Sequence, residues 1–347
     1  MNVVFYISGH GFGHASRDIE LINAIAAKCS DARFVVRTAV TPWLFESVVP
    51  PLTLHPCEAD TGVVQIDSLH LDEHATVQLA ADFYRDWDRR VNTEATFLRD
   101  TGADVVLGDI PPLAFAAAAR ADVRSIAIGN FTWDWIYGHY PAFESAAPDV
   151  IPTIRRAYAT ATRALRLPLH GGFEPMAEVT RDVPFIARRS SRDPADTRER
   201  LGVPDGNRLV LVSFGAYGVE LPLEDIRRAN ALTVVTFDRA PADLRYPDIV
   251  AAADVVVSKP GYGIVSECIA HNTPLLYTSR GRFIEYDVFV AEMPKMLRCR
   301  YIPPEDLFAG RWADAIDALL SQPAPPERAR VDGAEVAATE VLNLVIE

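Results

Sequence analysis

Three glycine-bearing loops and one aromatic run hold most of the side chains whose types and spacing suit chemistry. The first loop is Ser8-Gly9-His10-Gly11-Phe12-Gly13-His14, set between an apolar run (Val3–Ile7) and a helical pattern (Ala15–Lys28). Alternate glycines allow a tight turn and close approach of a ligand to the backbone, and the free N–H groups of the following helix favour anions. Gly11 and Gly13 are therefore candidates for cradling a donor phosphate. An imidazole at such a place titrates near neutral pH, which makes His10 and His14 candidates for acid–base catalysis. Asp109 lies in Gly108-Asp109-Ile110-Pro111-Pro112, at the end of another apolar run. A carboxylate there would fix an imidazole's tautomer and stabilise its cation, or else cap the helix starting near Pro112.

The spacing Gly9, Gly11, Gly13 is not G-x-G-x-x-G, and the second strand ends in Arg37-Thr38 with no acidic residue for a ribose. Both features argue against a dinucleotide site. The run Asn130-Phe131-Thr132-Trp133-Asp134-Trp135-Ile136-Tyr137 has two readings. It packs in the core, or its aromatic faces wall a sugar-binding site in which Asn130, Trp133 and Asp134 touch an acceptor. In the second half, Ser258-Lys259-Pro260-Gly261-Tyr262-Gly263 leads from a strand into a helix and suits a diphosphate. Lys259, Gly261, Tyr262 and Gly263 are the candidate contacts. Glu267, one turn further, is placed to accept hydrogen bonds from a ribose diol. The companion loop Ser213-Phe214-Gly215-Ala216-Tyr217-Gly218 adds Ser213 and Gly215 to the donor candidates. Glu285, in Arg280-Gly281-Arg282-Phe283-Ile284-Glu285, either holds donor-sugar hydroxyls or pairs with the adjacent arginines.

The elements that must position these residues follow from the patterning. Apolar β-branched runs at Val3–Ile7, Arg33–Thr38, Asp104–Leu107 and Ser125–Ile128 alternate with helical patterns in the first half. Leu209–Ser213, Leu232–Phe237, Asp254–Val257 and Leu275–Tyr277 do so in the second. Continuous apolar runs suit parallel strands buried on both faces, so the sequence predicts two doubly wound α/β domains. The polar stretch from Arg188 to Pro194 is the expected linker, giving domains 1–187 and 188–331. A last helix over Gly333–Ile346, beyond Pro323-Ala324-Pro325-Pro326, is expected to return to the first domain. The segment 61–90 offers no pattern that places it.

The 347 residues suffice for two such domains, and 34 basic against 47 acidic residues give a net charge of −13. That balance opposes nucleic-acid and anionic-membrane partners. Only Lys28, Lys259 and Lys295 are lysines among the 34 basic residues, so a lysine inside a motif stands out. Four scattered cysteines lack zinc or disulfide spacing and suit reduced thiols. With no leader pattern and no apolar stretch of membrane-spanning length, the expected location is the cytoplasm.

Together these motifs resemble the GT-B glycosyltransferases, and in particular the glycosyltransferase-like N-terminal region of L-arabinokinases with its free-standing bacterial relatives. The resemblance rests on Gly9–Arg17, Gly129–Tyr137, Arg181-Asp182-Val183-Pro184, Ile249–Asp254 and Lys259–Glu267, in that order along most of the chain. It implies two Rossmann-like domains facing across a cleft, with the acceptor mainly in the first and a nucleotide-sugar donor, usually UDP-linked, in the second. It also implies an inverting transfer without cofactor or divalent metal, His14 as the base, Asp109 as its assistant and Glu267 at the ribose. The chain lacks a kinase phosphate loop, so arabinose phosphorylation is not expected of it. A nucleotide-sugar hydrolase or epimerase, or a non-catalytic sugar-nucleotide binding module, are the alternative functions on the same fold.

Overall fold

Short apolar runs bounded by turn residues become strands. The computed structural model describes residues 1–215, 218–230 and 232–347. The chain divides into two compact units, one comprising Met1–Val64, Leu71–Ile186 and Asp332–Glu347, the other Gln65–His70 and Ala187–Val331.

Unit 1 is built on β1 (Asn2–Ile7), β2 (Arg33–Thr38), β3 (Leu52–Pro56), β4 (Val105–Asp109), β5 (Arg124–Gly129), β6 (Arg163–Arg166) and β7 (Thr180–Asp182). They form one sheet in the order β3-β2-β1-β4-β5-β6-β7, every pairing parallel. Val3 to Ile7 are essentially inaccessible, as a strand covered on both faces requires. Strand β4 runs two residues past its expected end, through Gly108. A Cβ there would lie 2.5 Å from the Phe115 ring, so the glycine lets the following helix close onto the sheet. In this unit the strands the sequence hid are β3, β6 and β7. Two are sheet edges that need no continuous apolar run, and β6 is masked by its flanking arginines.

Because β1 sits between β2 and β4, the chain leaves β1 and β4 in opposite directions at their carboxyl ends. Such a switch point opens a crevice where ligands bind in open α/β sheets. Ile7 pairs with Asp109 in register, so the glycine loop after β1 and the carboxylate ending β4 share that edge.

The last helix, Gly333–Ile346, packs on helix Gly13–Lys28, burying Ala337, Ala338, Val341 and Leu344. Arg163 and Arg181 both hold Glu340 from the sheet side. Gly333 has no room for a side chain, since a Cβ would lie 2.2 Å from the Pro184 carbonyl oxygen and 2.7 Å from that of Phe185. Gly333→Ala is expected to destabilise the protein by about 1–3 kcal/mol through overpacking. A thermal melt followed by circular dichroism checks this, and an unchanged melting temperature refutes it.

Unit 2 holds β8 (Arg208–Ser213), β9 (Leu232–Val235), β10 (Val255–Ser258), β11 (Leu275–Tyr277) and β12 (Cys299–Tyr301). The order is β12-β11-β10-β8-β9, again parallel throughout. Its switch point lies between β8 and β10, whose carboxyl-end loops are the two glycine loops of this half. The run expected as a strand to Phe237 stops at Val235, and Phe237–Arg239 forms a 3₁₀ turn instead. Gln65–His70 joins this unit although its sequence neighbours on both sides belong to unit 1. Leu69 enters the core beside Val212 and Phe214, and the Ser68 hydroxyl donates to the Phe214 carbonyl at 2.6 Å. No helix among the described residues is long and apolar enough to cross a membrane.

Candidate functional site

In unit 1 the polar side chains converge at the carboxyl ends of β1 and β4. Helix Gly13–Lys28 begins directly after the glycine loop, its N-terminus without a side-chain cap. Nothing stands within 4 Å of where a Cβ on Gly11 or Gly13 would be, so both backbone positions are open to a ligand. His14, 5 % exposed, places Nδ1 2.7 Å from Asp109 Oδ1. An ionised carboxylate only accepts, so Nδ1 carries the proton and Nε2 keeps its lone pair.

Arg17 lies one turn along the same helix face and was given no role from sequence. Its Nε donates to Asp109 Oδ2, its Nη2 to Oδ1, and its Nη1 to Asn130 Oδ1 at 2.9 Å. Arg17 Nη2 also lies 3.0 Å from His14 Nδ1, because both share Asp109 Oδ1. Burial alone would raise the Asp109 pKa, but the Arg17 guanidinium, with His14, outweighs it and brings it down to about 2. Asp18 is fully buried beside this pair, and among the described residues neither carboxyl oxygen has a hydrogen-bond partner. Burial, then repulsion from Asp109, pushes its pKa well up against the pull of Arg17.

His10 shows the reverse arrangement. Its Nδ1 faces the Val63 backbone N–H at 3.4 Å and therefore accepts, its ring edge meets Trp133 at 5.5 Å, and Gly62 closes on it. A second carboxylate, Asp60, stands partly exposed here, accepting from Ser8 Oγ at 3.1 Å and Trp133 Nε1 at 2.8 Å. Burial raises its pKa against the pull of those two donors and the nearby His14. Asp60 lies just before the segment 61–90 that the sequence could not place.

The aromatic run takes its packing role. Trp133 is 0 % exposed, stacked on Tyr137 at 5.6 Å, so no ring face remains for an acceptor. Asp134 is buried with Oδ2 held by Arg155 Nε at 3.0 Å, and Asn130 is buried holding Arg17. At the expected acceptor contacts Asn130, Trp133 and Asp134 the side chains are buried: Asn130 braces Arg17 and Trp133 braces Asp60 from behind, while Asp134 pairs with Arg155.

In unit 2, Ser213 bonds the Tyr246 hydroxyl at 2.6 Å, and Gly215 is exposed with φ +73°. Ala216 and Tyr217 of that loop lie outside the described residues. Gly261 precedes helix Tyr262–His271, and Gly263 is partly exposed in its first turn. Tyr262 is turned inward, 6 % exposed, which limits its expected donor contact to its backbone. Glu267, 2 % exposed, accepts from Arg188 Nε at 2.5 Å, while its Oε2 has no partner among the described residues. Burial raises its pKa, and Arg188 partly offsets this. Arg188 also lies over the Tyr246 ring at 5.0 Å. Glu285 is buried and bonded to Arg280 Nη1 at 2.6 Å, so of its two expected roles it takes the pairing one.

No family profile matches the chain. L-arabinokinase of Arabidopsis thaliana is 29% identical over 351 residues, covering 96% of this chain and 33% of that protein. The chain thus spans about a third of the length of that relative. An uncharacterized glycosyltransferase of Methanopyrus kandleri is 26% identical over 265 residues, 70% of this chain and 74% of its own. Among solved structures, the glycotransferase of kitacinnamycin covers 99% of this chain and 98% of its own, with a TM-score of 0.64 at 17% identity. The architecture is the GT-B fold.

Proposed function

We propose that this chain moves a sugar from a nucleotide-diphosphate donor, UDP-linked, to an acceptor hydroxyl, with inversion and without a divalent metal. The observation that carries the reading is the His14–Asp109 contact at the unit 1 switch point, with Arg17 fixing the carboxylate. That geometry leaves Nε2 as a base for an acceptor hydroxyl, while Asp109 stabilises the imidazolium formed as the oxygen attacks the anomeric carbon. Asp60, with Ser8 and His10, lines the same edge and is assigned to a second acceptor hydroxyl.

Unit 2 is assigned the donor. The unpartnered Oε2 of Glu267 accepts from the ribose diol, and the N-terminus of helix Tyr262–His271 receives the diphosphate. The leaving group's growing negative charge is met by these N–H groups, Arg280 and Lys259, so the mechanism needs no metal.

A thermal-shift screen of nucleotides and nucleotide sugars tests the donor half, because only binders raise the melting temperature. UDP and UDP-sugars are expected to stabilise the protein, and Glu267→Ala to abolish most of that shift. Failure of every nucleoside diphosphate to stabilise the parent protein sinks the reading. Rapid release of UDP from a UDP-sugar with no acceptor present would move the assignment to a hydrolase.

A further inference from the structure

Lys259 follows β10 and opens the loop into helix Tyr262–His271. It is half-buried, and among the described residues its ammonium has no hydrogen-bond or ion-pair partner. Arg280 reaches the same loop, with Nη1 3.4 Å from the Pro260 carbonyl oxygen and 3.9 Å from where a Cβ on Gly261 would stand. Two acidic groups are in range. Glu285, at the start of helix Glu285–Met296, is already bonded to Arg280 at 2.6 Å. Asp67, from the Gln65–His70 segment, accepts from the Leu69 and His70 amides and the His70 ring. The loop therefore brings two cations together while both nearby carboxylates are committed elsewhere.

Burial strips water from an ammonium that no carboxylate replaces, and the Arg280 guanidinium repels it further. In that order these bring the Lys259 pKa down to about 7, against the weaker pull of Glu285 and Asp67. A diphosphate laid against the loop supplies the missing anion and reverses the balance.

We propose that binding of the nucleotide sugar is coupled to uptake of one proton by Lys259, so that Lys259 and Arg280 grip the diphosphate together only when that proton is in place. The proposal rests on the donor reading above and adds a pH switch to it. The free protein holds the proton below about pH 7 and releases it above, while the complex holds it to higher pH. Affinity should be flat below pH 7 and fall by up to tenfold per pH unit above it, until the complex itself deprotonates.

UDP-glucose and dTDP-glucose are the probes, because their diphosphate is a diester. Free UDP carries a terminal phosphate whose own titration, with a pKa of about 6, would obscure the effect. The experiment is isothermal titration of the full chain from pH 6 to 9, in buffer pairs of different ionisation enthalpy. At pH 8 the parent protein should take up close to one proton per nucleotide sugar. Lys259→Arg, charged at every pH, should bind without the slope or the uptake, and Lys259→Met should bind weakly at all pH values without uptake. Binding by the parent at pH 8 with no proton uptake overturns the coupling and leaves the donor reading standing, as does an unchanged slope in Lys259→Arg. No binding of either probe at pH 6, where both cations are charged, overturns the donor reading and the coupling together.

Discussion

His14→Ala is expected to lower the rate of sugar transfer by about 10²–10⁴-fold, the contribution of a positioned general base, while leaving the fold intact. The fold should survive because alanine is a strong helix former and Arg17 continues to hold Asp109. What disappears is the nitrogen at this edge whose lone pair is left free by the Asp109 carboxylate on the other side of the ring. His10 cannot replace it, because its Nδ1 faces the Val63 N–H and its proton sits on Nε2, which makes it a donor toward a ligand. Initial rates of nucleotide release with acceptor, measured from pH 6 to 9, check the assignment. The variant's residual rate should climb with pH as hydroxide begins to substitute for the imidazole. A near-parental rate at pH 7 would remove His14 from the role of base.

The fold was legible because its central strands are buried on both faces. Val3–Ile7 and Leu209–Val212 have no polar face to hide them, and the glycine loops mark where they stop. Edge strands lose that signature: β3 ends in a proline, and β7 is Thr-Arg-Asp with no apolar residue. Gln65–His70 was invisible for a different reason. Its place in unit 2 is set by one buried leucine and one serine hydroxyl, contacts to residues about 145 positions away that no local pattern encodes.

The site divides along the same line. His14 and Asp109 announce themselves locally, each at the end of an apolar strand beside glycine or proline. The Arg17 partnership was available in principle, since three residues along a helix places it on the His14 face. Asp60 and Arg188 gave no such signal, because each finds its partner through tertiary contact alone. The aromatic run kept two readings because composition cannot distinguish a ring that packs from one that receives a ligand. Trp133 spends its indole N–H on Asp60 and its face on Tyr137.

Arg17→Met should be strongly destabilising to unit 1. The Arg17 and Asp109 side chains are 4% and 0% exposed, and the guanidinium supplies bonds to both Asp109 oxygens and to Asn130. Removing one partner of a buried pair leaves the other charge without compensation, which costs about 3–5 kcal/mol. For units of this size that corresponds to a fall in melting temperature on the order of 10 °C. The pH dependence gives an independent check. In the parent, Asp109 lies at about 2 rather than the ordinary carboxylate value, so its contribution is complete above about pH 4. It is lost only as pH falls from there toward 2. Without Arg17, burial dominates and pushes the Asp109 pKa up, so lowering the pH from 7 protonates the stranded carboxylate and should return part of the lost stability, narrowing the variant's gap to the parent. Arg17→Lys keeps the charge but not the fork, and should fall between the two. Adding Asp109→Asn to Arg17→Met removes the stranded charge and should recover part of the loss. Calorimetric melts at pH 7 and pH 5 decide it. Equal melting temperatures for parent and Arg17→Met would mean that Asp109 draws its stabilisation from His14 alone, and that the arginine is dispensable to the site.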